Sequence, residues 1–287
     1  MLKRKQKKVG YVAYGFLLLT TPALTAITQD AYSFNGTGHA KSIVFTDTTA
    51  NTIKDSLSHE ANEKKLAAPT VRLNSNATKF VKEYVKKNAS YLGKIKLRSE
   101  ASFTIMNSVF ASYELPVQLK YLAVVESELK SKALSPVGAA GMWQLMPGTA
   151  KMLGLTVTKK YDERRLCYKS TKAAAKYLNS LYNQFGDWLL VIAAYNSGPG
   201  PVYAAIKKSG SRNFWRLQQY LPAETKMHVK RFIGTHYFFE GEGSITTLTK
   251  AEAADYLRIV EKFKTDIKTK ETDSSTDENI KSVAVTQ

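Results

Sequence analysis

The chain has 287 residues, of which 44% are hydrophobic and 23% are charged, so its length and composition suit a globular protein with a sizeable core. Its formal net charge of +18 excludes a neutral surface and favours an anionic partner, which could be nucleic acid, a membrane or an acidic cell-wall polymer. Cys167 is the only cysteine, which excludes an intrachain disulfide and a cysteine metal cluster. We expect no cofactor and no metal site.

The N-terminal segment has the layout of a secretory signal. Residues 1–8 are rich in Lys and Arg, residues 9–26 are largely apolar, and small residues that suit cleavage stand at Ala23 and Ala26. The alternative is an uncleaved membrane anchor, for which this stretch is short and interrupted by Pro22. Both interpretations predict export to the periplasm or cell envelope. Removal of the segment, which carries five basic and no acidic residues, would leave a net charge of +13.

The remainder of the chain divides by composition and hydrophobic period. Residues 27–76 are polar and weakly patterned, which predicts a linker or arm. From residue 77 onward apolar residues recur at helical spacing, which predicts a helical domain over 77–262 with its core at about 115–240. Residues 263–287 are charged and rich in Ser and Thr, which predicts a disordered tail.

Within this domain the predicted elements are helices joined by short breaks. Apolar stripes begin at Phe80 and Phe103, a helix carries residues 115–126, and a Gly-rich loop follows at 135–141. Further helices are predicted, in chain order, from residue 149 and over residues 170–185, 188–196, 202–208, 214–220 and 223–240. Residues 188–196 are almost all apolar, so we expect that helix at the centre. No pair of alternating strands with a hairpin turn is recognisable, so the predicted fold is all-α.

Glu126 is the first candidate for chemistry. If residues 115–126 are helical, Glu126 shares a face with Leu119, Leu122 and Ala123, because residues three and four apart lie on one side of a helix. A carboxyl group on an apolar face is unusual, and burial favours its neutral form, so Glu126 could donate a proton near neutral pH. The alternative is that Glu126 simply ends the helix in solvent, and the residues that follow weigh against that alternative.

Three segments follow Glu126 in a fixed order. They are Ser135-Pro-Val-Gly-Ala-Ala-Gly-Met-Trp-Gln144, Ala193-Ala-Tyr-Asn-Ser-Gly-Pro-Gly200 and Leu221-Pro-Ala-Glu-Thr225. In this order and spacing the chain resembles the lytic transglycosylases with a goose-type lysozyme fold, above all the membrane-bound D type and the catalytic domain of the soluble type. The run Asp162-Glu-Arg-Arg165 is similar to a linking stretch of the D type. The resemblance covers about residues 115–239 and implies a lysozyme-like helical domain with a substrate cleft.

The resemblance implies that Glu126 is a single general acid and base. Enzymes of this family cleave the β-1,4 bond between N-acetylmuramic acid and N-acetylglucosamine in peptidoglycan. The 6-hydroxyl of the muramyl unit, rather than water, attacks the anomeric carbon and leaves a 1,6-anhydro end. An intramolecular nucleophile gains from proximity, so no second carboxylate need activate water, unlike in glycosidases that use two carboxylates.

The resemblance also implies residues that bind the sugars. Ser135 and Gln144 match positions that hydrogen-bond the sugars around the scissile bond, and Tyr195 matches a tyrosine whose hydroxyl lies near the catalytic carboxyl. Met142 occupies a cleft position where the family often has Leu, a change that conserves volume. The glycines at 138 and 141 would allow the loop backbone to turn and to approach a ligand closely.

Four further positions have more than one interpretation. Ser127, Asn196 and Glu224 match family residues near the substrate. Ser127 could instead brace its turn, Asn196 could end a helix, and Glu224 could stabilise a helix N-terminus. His228 stands where the family often has Tyr, so we expect the edge of the cleft to differ there.

The expected partner is the glycan strand of peptidoglycan, and the basic surface could also contact an anionic membrane or wall polymer. We do not expect nucleic acid as a partner, because the chain has an export signal and no basic recognition helix. A link to an envelope machine stays open.

Two other functions stay open. A goose-type muramidase would hydrolyse the same bond, with water positioned by Glu224, Asp162, Glu163 or Asp187. A glycan-binding scaffold in an envelope-spanning machine would not be catalytic, and it would have no need of a buried acid.

Overall fold

The structure is a computed structural model that describes the backbone of residues 68–283 and the side chains up to residue 269. Ten α-helices and four short 3-10 turns make up this part of the chain. The helices are α1 (Ser75–Arg98), α2 (Glu100–Ser112), α3 (Tyr121–Ser127), α4 (Pro147–Met152), α5 (Cys167–Phe185), α6 (Trp188–Ser197), α7 (Pro199–Ser209), α8 (Phe214–Leu217), α9 (Ala223–Glu240) and α10 (Lys250–Val283). Over residues 68–283 the backbone forms only isolated β-bridges, three in number, and no strand. The predicted all-α fold is therefore confirmed.

Helix α6 lies at the centre of the domain, as its composition predicts. Its residues from Trp188 to Ala194 are all buried, and the helix packs against α5, α7 and α9. A helix that is apolar on every side has no face to offer water, so it is stable only when other helices surround it. Asp187 begins the helix, and its side chain accepts hydrogen bonds from the backbone N–H groups of Leu189 and Leu190.

Helix α9 joins the parts of the fold that carry the candidate residues. It contacts α1, α3 and α6, and its buried residues include His228, Phe232 and Ile233. Gly234 allows α1 to approach, because a Cβ atom at this position would lie only 2.5 Å from Cδ1 of Tyr84. Helix α9 thus packs against both α1 and α3, the helix that carries Glu126.

The predicted boundaries differ from the described helices in two places. Helix α10 continues through the segment predicted as a disordered tail and ends at Val283. Residues 115–126 do not form one helix, since a 3-10 turn at Val117–Lys120 precedes α3. The predicted signal or anchor at 1–26 and most of the arm at 27–76 lie outside the described residues. Among the helices of residues 68–283, none has the length and apolar character needed to cross a bilayer.

Asp187 connects the central helix to the start of α10. One carboxylate oxygen caps α6, while the other accepts the backbone N–H of Lys250 at 2.7 Å. Burial raises the pKa of Asp187 against the opposing effect of these backbone hydrogen bonds. The N–H donors therefore stabilise the buried carboxyl group, and the carboxyl group satisfies N–H groups that would be costly to bury without an acceptor.

We predict that Asp187→Ala lowers the free energy of unfolding by about 3 kcal/mol, since the helix cap and the Lys250 hydrogen bond are lost together. Asp187→Asn keeps one oxygen for the cap and loses the bond from Lys250, so it should cost about half as much. Urea unfolding of the three proteins measures both values. Equal losses for the two variants would show that the cap contributes nothing.

Candidate active site

Glu126 lies in the last turn of the short helix α3. Leu119, Leu122 and Ala123, which precede it on the predicted apolar face, are completely buried, while the Glu126 side chain is 14% exposed. The chain then turns sharply, because Glu128 and Leu129 both adopt left-handed backbone conformations, with φ of 57° and 63°. The carboxyl group thus sits at the edge of the core with limited access to solvent.

The Glu126 carboxyl is held by His228 on α9. Oε1 of Glu126 lies 2.9 Å from Nε2 of His228, whose side chain is 4% exposed. Oε2 of Glu126 has no hydrogen-bond partner within residues 68–269. Nδ1 of His228 is buried and also has no partner there. A buried N–H group without an acceptor is costlier than a lone pair without a donor, so we assign the proton to Nε2, which donates to Oε1.

The loop that follows α3 is closed by its own backbone. The N–H group of Ala140 donates to the carbonyl of Leu145 at 3.1 Å, and the N–H group of Leu145 donates back at 3.2 Å. The Ser135 hydroxyl accepts the N–H group of Ala139 at 2.9 Å. Gln144 has a positive φ of 46°, and its Nε2 donates to the carbonyl of Gly141 at 2.8 Å. These contacts leave the Ser135 proton and Oε1 of Gln144 as the groups that can still bind a ligand.

Two buried side chains attach this loop to the helices. The Ser127 hydroxyl donates to the carbonyl of Met142 at 2.8 Å, so it connects α3 to the loop. Nη1 of Arg164 donates to the carbonyls of Gly138 and Leu145 at 2.7 Å and 2.9 Å. Asp162 pairs with the same guanidinium at 2.8 Å. Ser127 and Met142 are thus buried at the base of the loop, where Ser127 acts as a brace.

The backbone of Gly141 lies in close contact with another segment of the same chain. Gly141 has a φ of 78°, and a Cβ atom at this position would lie 1.9 Å from the carbonyl oxygen of Arg164. The sequence predicted an approach to a ligand at this position. The structure instead shows a backbone contact with the run Asp162–Arg165. The resemblance of this run to the family had implied no role for it.

Tyr195 projects from α6 toward the same place. Its hydroxyl donates to the carbonyl of Trp143 at 2.8 Å. Burial, and then the charge of Glu126, raises the pKa of Tyr195 well above its ordinary value. The Tyr195 hydroxyl therefore hydrogen-bonds to the loop rather than to the Glu126 carboxyl.

Asn196 and Glu224 lie where α6 ends and α9 begins. Oδ1 of Asn196 accepts a hydrogen bond from the Thr225 hydroxyl at 2.8 Å, which joins the two helices. Glu224 precedes Thr225 in the first turn of α9 and is exposed. An acidic residue there interacts favourably with the positive end of the helix dipole, as its alternative interpretation expected.

The structure brings Glu126, Ser127, Met142 and Tyr195 together around one loop, and it adds two residues that sequence reasoning did not assign. The role of His228 was missed because only its difference from the family tyrosine was visible. Arg164 was missed because a salt bridge to a near neighbour, Asp162, is a common surface feature.

We predict that Gly141→Ala lowers the free energy of unfolding by about 3 kcal/mol, because the strain of a positive φ adds to the clash with Arg164. Gly154 is the matched control, since its φ is 88° and a Cβ atom there would have no neighbour within 4 Å. Gly154→Ala should therefore cost only about 1 kcal/mol. Thermal and urea unfolding compare the two variants, and equal destabilisation would refute the importance of the Arg164 contact.

Comparison with known proteins gives a consistent result. Residues 110–218 match the model of the family described as the transglycosylase SLT domain. The chain is 33% identical over 231 residues to the membrane-bound lytic murein transglycosylase D of Escherichia coli K12, which covers 76% of this chain and 50% of that protein. It is 30% identical over 164 residues to the soluble lytic murein transglycosylase of the same strain, with coverage of 53% and 25%.

A solved structure is also similar to the chain. The crystal structure of the 70 kDa soluble lytic transglycosylase from Escherichia coli aligns with 52% of this chain and 26% of that one, at 28% identity and a TM-score of 0.45. The chain spans half or less of the length of the relatives named here. Residues 110–218 thus match the transglycosylase SLT domain, and the chain is similar in sequence to the lytic murein transglycosylases.

Proposed function

We propose that this protein is a peptidoglycan lytic transglycosylase that acts in the cell envelope. It cleaves the β-1,4 bond between N-acetylmuramic acid and N-acetylglucosamine without water and leaves 1,6-anhydro ends, with Glu126 as the only acid and base. The observation that carries this proposal is the Glu126 carboxyl, of which His228 holds one oxygen and leaves the other free. The SLT domain and the names of the relatives support the substrate.

The first step needs a proton on Glu126. In its neutral form Glu126 carries the proton on Oε2, because Oε1 accepts the hydrogen bond from His228. Oε2 protonates the glycosidic oxygen as the bond to the anomeric carbon breaks, and the leaving sugar departs as an alcohol. Positive charge then develops at the anomeric carbon beside a carboxylate that has just formed, and the two charges attract each other.

The second step returns the proton. The 6-hydroxyl of the muramyl unit attacks the anomeric carbon, and Oε2 removes its proton, so Glu126 is neutral again at the end of the cycle. Because nucleophile and electrophile belong to one sugar, the step needs no bound water and no second carboxylate to position one. His228 keeps the same contact with Oε1 in both steps, so the carboxyl does not have to rotate.

The carboxylates that a hydrolase could use are mostly engaged elsewhere. Asp162 pairs with Arg164, and Glu163 accepts the backbone N–H group of Thr156 at 2.7 Å and pairs with Lys169. Asp187, as described above, caps α6 and binds the backbone of Lys250. Glu224 is exposed in the first turn of α9 and remains the one candidate from that set for positioning water.

The remaining roles follow the loop geometry. We assign sugar binding to Ser135 and Gln144 through the polar groups that their loop contacts leave free, whereas the predicted sugar contact of Met142 gives way to packing, because its side chain is buried in the core. Ser127, Tyr195 and Asn196 hold the surrounding backbone and helix ends, which fixes the position of the loop relative to Glu126.

The basic surface supports a second contact with the envelope. A cavity of about 430 Å³ beside α8 is lined by Arg216, Lys226 and Lys230 and by no carboxylate. Burial, and then the charge of Lys226, lowers the pKa of Lys230. Cations this close together attract anions, so this surface suits an anionic membrane or wall polymer.

We predict that Glu126→Gln lowers the rate of peptidoglycan cleavage by about 10³-fold, because the amide keeps the shape of the side chain but cannot exchange the proton. Mass spectrometry of digested sacculi should show 1,6-anhydro ends with the unsubstituted protein. Glu224→Gln is the matched control, and its products should also carry anhydro ends. Reducing ends would contradict the proposal, and undiminished cleavage by Glu126→Gln would refute the role of Glu126.

We predict that His228→Gln retains kcat within about tenfold, whereas His228→Asn lowers kcat about 100-fold, since a small misplacement of a catalytic group costs about that much. The two variants are matched amides that differ in reach, because only the Gln amide nitrogen extends to the position of Nε2. KM should change little in either variant, since the contact holds Glu126 and not the sugar. Equal loss of kcat in both would show that His228 contributes packing alone.

A further inference from the structure

A cavity of about 440 Å³ lies beside Glu126, and its lining includes none of residues 135–144 of the loop that follows α3. One wall is the backbone and side chains from Val124 to Glu128. The opposite wall is α1, which contributes Tyr84, Asn88 and Tyr91, and Arg231 of α9 also lines it. A cavity of this volume suits a small ligand or the side group of a larger one.

Most of the polar groups in this cavity already have partners. The Tyr84 hydroxyl is hydrogen-bonded to the hydroxyl of Thr235 at 3.2 Å, and Nδ2 of Asn88 donates to the backbone carbonyl of Tyr84 at 2.7 Å. Glu128 pairs with Lys130 at 2.7 Å. Burial would raise the pKa of Glu128, but the hydrogen bonds and charges of its neighbours outweigh burial and lower it. The Glu128 carboxylate, which also lines the cavity, is thus ionised and paired with cations of this chain.

Arg231 is the exception. Its side chain is half-buried, and Nε is buried without a hydrogen-bond partner. Neither carboxyl group in the cavity is paired with it, because Glu126 is bound to His228 and Glu128 is bound to Lys130 and Arg98. Within residues 68–269 the guanidinium forms no ion pair. A half-buried guanidinium with a buried, unpaired N–H group is stabilised by an anion that reaches it, and it matches a carboxylate with two parallel hydrogen bonds.

Resting on the proposed function, we propose that this cavity is a second substrate subsite, in which Arg231 binds a carboxylate carried by the muramyl unit next to the scissile bond. The carboxylates of peptidoglycan belong to its peptides, or to the lactyl group of the muramyl unit where the peptide has been removed. The sugars themselves are neutral. A carboxylate site that shares a cavity with Glu126 therefore recognises the side group of the muramyl unit, while the loop binds the sugars.

The α1 wall completes this subsite. Tyr91 is 43% exposed and presents a flat ring of the kind that packs against a peptide or a lactyl methyl group, and Oδ1 of Asn88 accepts no hydrogen bond from the described residues. An amide oxygen in that position suits a peptide N–H group. Both α1 and Arg231 lie outside residues 110–218, so this specificity is added to the SLT domain by the flanking helices.

The test is calorimetric binding to the Glu126→Gln protein, which keeps the full chain and does not consume the probe. The probes are a tetrasaccharide-peptide with free carboxylates and the same molecule with its carboxylates amidated. Amidation should weaken binding about tenfold when Arg231 is present, because the charge-assisted pair with the carboxylate is lost. In a protein that carries Arg231→Gln as well as Glu126→Gln, that pair is already absent, so amidation should weaken binding less than twofold. Lys86→Gln removes an exposed positive charge of α1 outside the cavity. This control variant retains Arg231, so amidation of the probe should weaken its binding about tenfold as well.

The outcomes separate the alternatives. The proposal is wrong if amidation leaves binding of the tetrasaccharide-peptide unchanged and Arg231→Gln also binds a peptide-free tetrasaccharide with free lactyl carboxylates as tightly as the protein that retains Arg231. Equal weakening with and without Arg231 would place the carboxylate elsewhere and would also overturn it. A peptide-free tetrasaccharide with a free lactyl carboxylate identifies the source, since its tight binding assigns the lactyl group and its weak binding assigns the peptide. Product analysis tests the transglycosylase proposal separately, so the failure of either proposal can be recognised independently of the other.

Discussion

The contact between Oε1 of Glu126 and Nε2 of His228 is the constraint on which the candidate site depends. It requires a side chain of α3 and a side chain of α9 to approach within 2.9 Å, although the two residues lie 102 positions apart in sequence. Helix α9 is held close to Glu126 because it packs against α1, α3 and the buried helix α6 at the same time. The hydrophobic core therefore determines the geometry of a polar pair at its edge, and a shift of α9 would move the partner of the carboxyl group.

The loop opposite this pair is rigid for a different reason. Its backbone lacks regular secondary structure, so its carbonyl groups need other donors. Ser127 supplies one of them from α3, and Arg164 supplies two more from a charged run that Asp162 holds in place. Gly141 allows the two backbones to touch. The side chains that would bind sugar thus stand on a loop fixed by buried polar contacts, and a fixed loop loses little entropy on binding.

The sequence predicted those features that depend on local periodicity. The buried helix at 188–196 and the long helix at 223–240 follow from apolar spacing, and both are present as α6 and α9. Glu126 stood out because it is a charged residue on an apolar face. The role of His228 could not be predicted in this way, since a histidine on a mixed helix has no pattern that reveals its partner. For Gly141 the close approach could be predicted, but the atom approached could not, because that depends on tertiary packing.

The division between the matched domain and its flanks has a chemical consequence. Residues 110–218 contain Glu126, the loop and Tyr195, to which the proposed function gives the roles near the scissile bond. His228 and Arg231 both lie on α9, beyond that range, and they face Glu126 and its cavity through residues only three positions apart. Residues at this spacing lie on the same side of a helix, so one rotation of α9 would displace both. The proposed roles therefore couple the orientation of the acid to the recognition of the muramyl side group. A substrate carboxylate bound to Arg231 would then also help to hold His228 against Glu126, so binding the correct side group would favour the reactive position of the acid.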